Sequence, residues 1–157
     1  MTVKNNLPLA LRAAYLALHR RTEARFAQHD VTADQFVLLA TLARGDALTQ
    51  RELGQRMSSD PSTVRAMLVL LERRGLIQRE SHPTDARART VSLTPAGRRK
   101  FRQLWKAGNS IRETMFGALP PDEAAALVRN LTKIAETLNQ GCVPVRGPIA
   151  LHSTEVA

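Results

Sequence analysis

Arg87 stands two residues after Asp85, and the chain then runs on as Val91-Ser92-Leu93-Thr94-Pro95-Ala96-Gly97. A charged loop of this kind, leading into a strand and then a helix start, carries a guanidinium at its tip. Such a group fits the narrow, strongly negative minor groove of a duplex. Asp85 is placed to hold the guanidinium groups beside it, Arg89 among them, so that the loop keeps its shape; as an exposed ion pair it would contribute little stability. A second group lies upstream. Ser62, Thr63 and Arg65 occupy the first two turns of a helix that starts at Asp60-Pro61, and Arg73 follows on the same outer face. Arginine addresses guanine through two hydrogen bonds, and serine or threonine can meet bases or phosphates. Arg51 and Arg56, on the preceding helix, suit phosphate contacts that position a protein without reading sequence.

The elements that must carry these groups are marked by local chemistry. Leu7, Leu11, Ala14, Tyr15, Leu18, Thr22 and Phe26 recur at three- and four-residue steps, which predicts a first helix ending near His29. Thr32 with Gln35, and Thr49 with Glu52, form capping boxes, each flanked by the apolar pair of a hydrophobic staple. Gly45 stops the helix that begins at Thr32. A further helix opens with Asp60 as N-cap and Pro61 at the first helical position, where the missing amide hydrogen costs nothing. Its inner stripe is Val64, Met67, Leu68 and Leu71, and its outer face also holds Ala66 and Val69. Gly75 and Leu76 close it in a Schellman motif. Two strands are expected over 76–80 and 88–93, joined by a loop at 81–85. A fifth helix, opened by Thr94-Pro95, carries Phe101, Leu104, Trp105, Gly108, Ile111 and Met115, and a sixth after Pro120-Pro121 carries Leu127, Val128, Leu131, Ile134 and Leu138. The fold class is mainly α with a small β-hairpin wing, a winged helix-turn-helix with a helical dimerisation region.

The bulk composition narrows the function. The 157 residues, 43% hydrophobic, are enough for one domain with a real core. The net charge is +9, and residues 51–106 supply most of it, with thirteen Lys and Arg against five Asp and Glu. A basic field concentrated on a third of the chain suits a polyanion, whose affinity for cationic side chains comes from counterion release. The single cysteine, Cys142, falls in a Pro- and Gly-containing tail, which excludes an internal disulfide and a multi-cysteine metal site. A reducing, cytoplasmic setting is expected, with no membrane association, since no apolar run approaches a membrane span. His19, His29, His82 and His152 are scattered, so no metal is expected, and no cofactor. There is no glycine-rich phosphate loop, no Gly-x-Ser-x-Gly elbow and no His-Glu-x-x-His pair, so an enzyme is not expected.

The runs Leu48-Thr-Gln-Arg-Glu-Leu53, Asp60-Pro-Ser-Thr-Val64, Leu71-Glu-Arg-Arg-Gly-Leu-Ile77 and, above all, Asp85-x-Arg87-x-x-x-Val91-x-Leu93-Thr94-x-x-Gly97 resemble the MarR family of bacterial transcriptional regulators. The resemblance covers roughly residues 10–138. It implies a homodimeric, winged-helix regulator of double-stranded DNA, with the fourth helix in the major groove, Arg87 in the minor groove, and the first, fifth and sixth helices forming the dimer. It also implies a small-molecule effector between the DNA-binding and dimer lobes, where Tyr15, His19, Phe36 and Trp105 are expected to meet. An aromatic or heteroaromatic carboxylate would pair there with His19 or Arg20. Ala86 departs from the glycine or basic residue common at its position, which bears on the flexibility and charge of the wing.

This divides the chain into an N-terminal helix at 1–30, a DNA-binding domain at 31–97, dimerisation helices at 98–139 and a tail at 140–157. Long apolar stripes at both chain ends exceed what one small winged domain can cover, which independently suggests a dimer, the alternative being that they are ordinary core. Two-fold symmetry then predicts a palindromic operator. Two other functions fit the composition: a winged-helix module that binds a protein or an acidic membrane surface, and an architectural protein that binds any duplex. The first would need an apolar outer face on the fourth helix. The second would bind random and cognate DNA alike.

Overall fold

In the computed structural model, residues 2–45 and 47–140 are described. The tail beyond Gln140, including Cys142 and His152, lies outside the described residues. Helix α1 (Val3–Ala27) is followed by α2 (Ala33–Leu42), a two-residue strand β1 (Leu48–Thr49), α3 (Gln50–Met57), α4 (Pro61–Arg73), strands β2 (Ile77–Ser81) and β3 (Arg89–Leu93), and then α5 (Pro95–Ala107), α6 (Asn109–Phe116) and α7 (Pro121–Asn139).

The caps form as local chemistry dictates. The Gln35 amide donates to Thr32 Oγ1 and the Thr32 amide to Gln35 Oε1, both at 3.1 Å. The α2 start is further tied to α1, because Glu23 Oε1 accepts the Ala33 N–H at 2.7 Å. At α3 the Thr49 amide donates to Glu52 Oε2 at 2.8 Å, and this bond leads the causes that hold the Glu52 carboxyl below its usual range. Between α3 and α4 the chain turns through Ser58 in the left-handed region, φ 53°. At the end of α4 the Leu76 amide donates to Leu71 O (3.0 Å) and the Gly75 amide to Glu72 O (2.9 Å). Those are the two bonds of a Schellman motif, with Gly75 at φ 68°.

One sheet orders the strands β1-β3-β2, all antiparallel, with Leu48 opposite Val91 and Ile77 opposite Leu93. These four side chains point inward and meet Leu53, Val64, Leu68, Leu71, Leu38, Leu39 and Leu42 in one core beneath the helix-turn-helix. Phe26 and Leu104 bring α1 and α5 onto the same core.

Three boundaries differ from expectation. The first strand is shifted by one residue, because Leu76 is consumed by the helix cap and its carbonyl accepts the Thr94 N–H at 3.1 Å, and the second starts one residue later but ends at Leu93 as expected. Strand β1 was not foreseen, since Leu48 and Thr49 read locally as a staple and a cap. The expected fifth helix is two helices, broken at Gly108. Two arginines take carbonyls at the break: Arg25 Nε donates to Ala107 O at 3.0 Å, and Arg112 Nη2 to Trp105 O at 2.7 Å. A side chain at Gly108 would press on Phe26 and Arg112, at 3.4 and 3.3 Å.

Helices α1, α6 and α7 bury little. Phe26 is the one buried residue of α1, and α6 and α7 have none. Leu7, Leu11, Tyr15, Met115, Phe116, Leu127, Val128, Leu131 and Leu138 are all exposed.

Candidate nucleic-acid interface

Helix α4 buries one face and exposes the other. Val64, Met67, Leu68 and Leu71 are buried, whereas Ser62, Thr63, Arg65, Ala66, Leu70 and Arg73 are exposed. The buried stripe anchors the helix, so its first turns face outward on a rigid base. Asp60 organises those turns. Its Oδ1 accepts the Ser62 hydroxyl (2.6 Å) and the Thr63 N–H (2.9 Å), and its Oδ2 accepts the Thr63 hydroxyl (2.5 Å). The Ser62 hydroxyl first, then the Thr63 hydroxyl and amide, hold the Asp60 carboxyl far below the usual carboxylate range. Arg51 is exposed near the start of α3, and Arg56 is half-buried toward its end.

The β2–β3 connection spans residues 82–88. The His82 amide donates to Ala88 O at 3.0 Å and the Ala88 amide to Asp85 O at 3.1 Å, which closes the loop on itself. His82 Nδ1 accepts the Thr84 N–H at 3.2 Å. Asp85 acts through the backbone rather than through a neighbouring guanidinium: its Oδ1 accepts the Arg87 N–H at 3.0 Å. That bond fixes the peptide at the tip and leaves the Arg87 side chain exposed. Arg89 is exposed at the start of β3, opposite Ser81.

Two connections that sequence reasoning missed fix β2 and α4 relative to their neighbours. Arg79 on β2 donates from Nε to Glu72 Oε2 at 3.0 Å and from Nη2 to the same oxygen. The Arg79 hydrogen bond lowers the Glu72 carboxyl below its ordinary range, so the pair is ionised at neutral pH. Arg74, at the C-cap of α4, donates to the carbonyl of Asp30 at 2.5 Å, in the turn between α1 and α2. Neither partner carries a periodic signal; a glutamate and an arginine seven residues apart reveal their pairing only once the strand is placed beside the helix.

The five residues expected around an effector fall into two groups. Phe36 and Trp105 both contact Phe101, with ring centroids 6.0 and 5.9 Å apart, and Phe26 extends the row at 4.7 Å from Phe36. Arg112 caps it, 4.0 Å over the Trp105 ring, and burial lowers its pKa. Tyr15 and His19 instead stack on each other along α1, at 5.7 Å, with His19 Nε2 3.9 Å from Glu23 Oε1. Arg20 is exposed on the same helix. None of the five lines the open cleft of about 400 Å³ between α1 and α6, which is bounded by Arg21, Ala24, Arg25, Gln28, Ser110, Ile111 and Thr114. Among the described residues there is no cluster of metal-ligating side chains, and no helix is long and apolar enough to cross a membrane.

A capped recognition helix on a three-stranded wing, with exposed cations on both, defines a winged-helix DNA-binding protein. The chain belongs to the MarR family of transcriptional regulators, whose sequence pattern matches residues 31–88. It is 30% identical over 140 residues to the transcriptional regulator HosA of Escherichia coli O157:H7, covering 87% of this chain and all of that protein. Among solved structures it resembles the transcriptional repressor CouR bound to a 23-mer DNA duplex, with a TM-score of 0.77 and 28% identity over 85% of this chain and 94% of that one. It also resembles the PcaV regulator of Streptomyces coelicolor in complex with its natural ligand, with a TM-score of 0.69 and 26% identity over 87% and 94% of the two chains.

Proposed function

We propose that this protein is a homodimeric repressor that grips a palindromic operator in double-stranded DNA and releases it when a small aromatic or heteroaromatic carboxylate binds. The observation that carries this reading is the outer face of α4, where Ser62, Thr63, Arg65 and Arg73 stand exposed above a fully apolar inner stripe. The polar first two turns disfavour a protein-docking module, although Ala66 and Leu70 are exposed further along the helix. In this reading Ser62, Thr63 and Arg65 meet base edges, Arg87 enters the minor groove, and Arg51, Arg56 and Arg73 contact the backbone. Asp85 and Arg89 support the wing.

The exposed apolar residues of α1, α6 and α7 support a dimer built from residues 1–30 and 98–139, since bare stripes of this length call for a partner surface. A two-fold pair of α4 helices places half-sites about one helical turn, roughly 34 Å, apart. CouR, as a repressor on a duplex, and PcaV, with its natural ligand, lend support to repression and ligand control. In this reading the row Phe36–Phe101–Trp105, capped by the Arg112 guanidinium, stacks the aromatic acid, while Tyr15, His19 and Arg20, the partners expected from sequence, form a separate group along α1. The protein acts in the cytoplasm by binding, without catalysis.

Footprinting on the DNA flanking its own coding region, repeated with a panel of aromatic acids, tests this. Two protected half-sites are expected, lost on addition of one of the acids. Equal affinity for random and flanking duplex at the same salt would instead make the protein an architectural binder. Arg87→Ala is expected to weaken operator binding in a gel shift while leaving the melting curve unchanged. A lowered melting temperature with unchanged binding would remove Arg87 from the interface.

A further inference from the structure

The hydroxyl hydrogens at the tip of the recognition helix are already committed. A carboxylate only accepts hydrogen bonds, so the short contacts from Ser62 Oγ (2.6 Å) and Thr63 Oγ1 (2.5 Å) to Asp60 fix the direction of both bonds. Each hydroxyl has one hydrogen, and that hydrogen points at Asp60. What remains on each oxygen is a pair of acceptor lone pairs. The carboxyl stays ionised at neutral pH, because the same three bonds hold it far below its ordinary range.

We infer that Ser62 and Thr63 face DNA as hydrogen-bond acceptors only, and that Asp60 thereby sets which base of a pair each can meet: the adenine or the cytosine, never its thymine or guanine partner. In the major groove only the N6 amino group of adenine and the N4 amino group of cytosine donate. Guanine and thymine present acceptors at those edges. Phosphate oxygens are acceptors as well, so the two hydroxyls are excluded from backbone contacts unless they surrender a charge-assisted bond to Asp60. Polarisation by the carboxylate also makes each hydroxyl oxygen a stronger acceptor. Asp60 is a positioning residue here, acting on the bases through two side chains it holds. The inference deepens the proposed reading of DNA by α4 and rests on it.

Asparagine at position 60 separates this role from simple helix capping, since aspartate and asparagine are equally good N-caps. In Asp60→Asn the Thr63 N–H and Ser62 hydroxyl both require an acceptor where Oδ1 now lies. The side-chain amide nitrogen then falls opposite Thr63 Oγ1 and donates to it. The Thr63 hydroxyl hydrogen is released toward the groove, while that of Ser62 stays bound. The variant should therefore invert hydrogen-bond polarity at one base pair and leave its neighbour unchanged.

The experiment is selection from a randomised duplex pool by the full chain and by Asp60→Asn, Thr63→Val and Ser62→Ala. The position whose preference collapses in Thr63→Val, and that which collapses in Ser62→Ala, identify the two contacted base pairs. The wild type is expected to enrich one orientation of the pair at both by about fivefold, the worth of one hydrogen bond, with adenine and cytosine interchangeable on the same strand. Asp60→Asn is expected to turn the Thr63 position over, placing guanine or thymine on the strand where the wild type has adenine or cytosine, and to keep the Ser62 position as it was, with an unaltered melting curve. An Asp60→Asn pool identical to the wild-type pool, or one in which the Ser62 position turns over as well, overturns the inference. A wild type that enriches no sequence at all overturns the DNA-reading assignment itself, a different failure with a different signature.

Discussion

Gly97→Ala is expected to lower the melting temperature by roughly 10 °C, the shift that a loss of about 3 kcal/mol produces in a domain of this size. Gly97 is the third residue of α5, and a Cβ built on it would lie 1.9 Å from the carbonyl oxygen of Leu76 and 2.9 Å from its carbon. Backbone blocks the space, so no side chain can rotate away to make room. The crowding arises because Thr94 draws the start of α5 onto the end of α4, its amide bonding Leu76 O and its hydroxyl donating to Gly75 O at 2.6 Å. Gly75→Ala provides the comparison. There a Cβ meets nothing within 4 Å, and the cost is the left-handed backbone alone, about 1 kcal/mol. Thermal unfolding of the two variants beside the wild type checks the difference; equal shifts would mean that the α5 start yields freely.

Arg65→Ala should cost about 1 to 3 kcal/mol on the cognate duplex and relax the base preference at one position. Arg65 lies in the second turn of α4, exposed, one residue beyond the buried Val64 that fixes the helix. Arg51→Ala should instead weaken every duplex alike and flatten the dependence of affinity on salt, as the loss of one phosphate contact requires. Titrations of both variants on selected and random DNA at several salt concentrations distinguish the two roles. Equal losses on both duplexes for Arg65→Ala would make it a backbone contact.

Much of the fold was legible because short-range chemistry determines it. Thr32, Thr49, Asp60 and Thr94 each cap the helix whose start they mark, and Gly75 ends α4 as its sequence suggests. What could not be read depends on contacts between distant segments. Strand β1 exists because Leu48 meets Val91, more than forty residues away, and two residues have no period to detect. The break at Gly108 lies inside a run whose apolar spacing continues undisturbed, and the arginine that takes the Ala107 carbonyl comes from α1. In the site the outer face of α4 follows from spacing. The direction of the bonds at Asp60, the Glu72–Arg79 pair and the turn of Asp85 toward the backbone depend on side-chain orientation, to which periodicity is blind.

The exposed apolar residues of α6 and α7 bear on the protein's behaviour on dilution. Helices α6 and α7 bury no residue, and α6, at eight residues, is shorter than an isolated helix needs to hold in water. In the proposed dimer their order is borrowed from the partner surface, and it obeys mass action: helical circular dichroism should fade as the protein is thinned out, well before the core around Leu68 and Val91 melts.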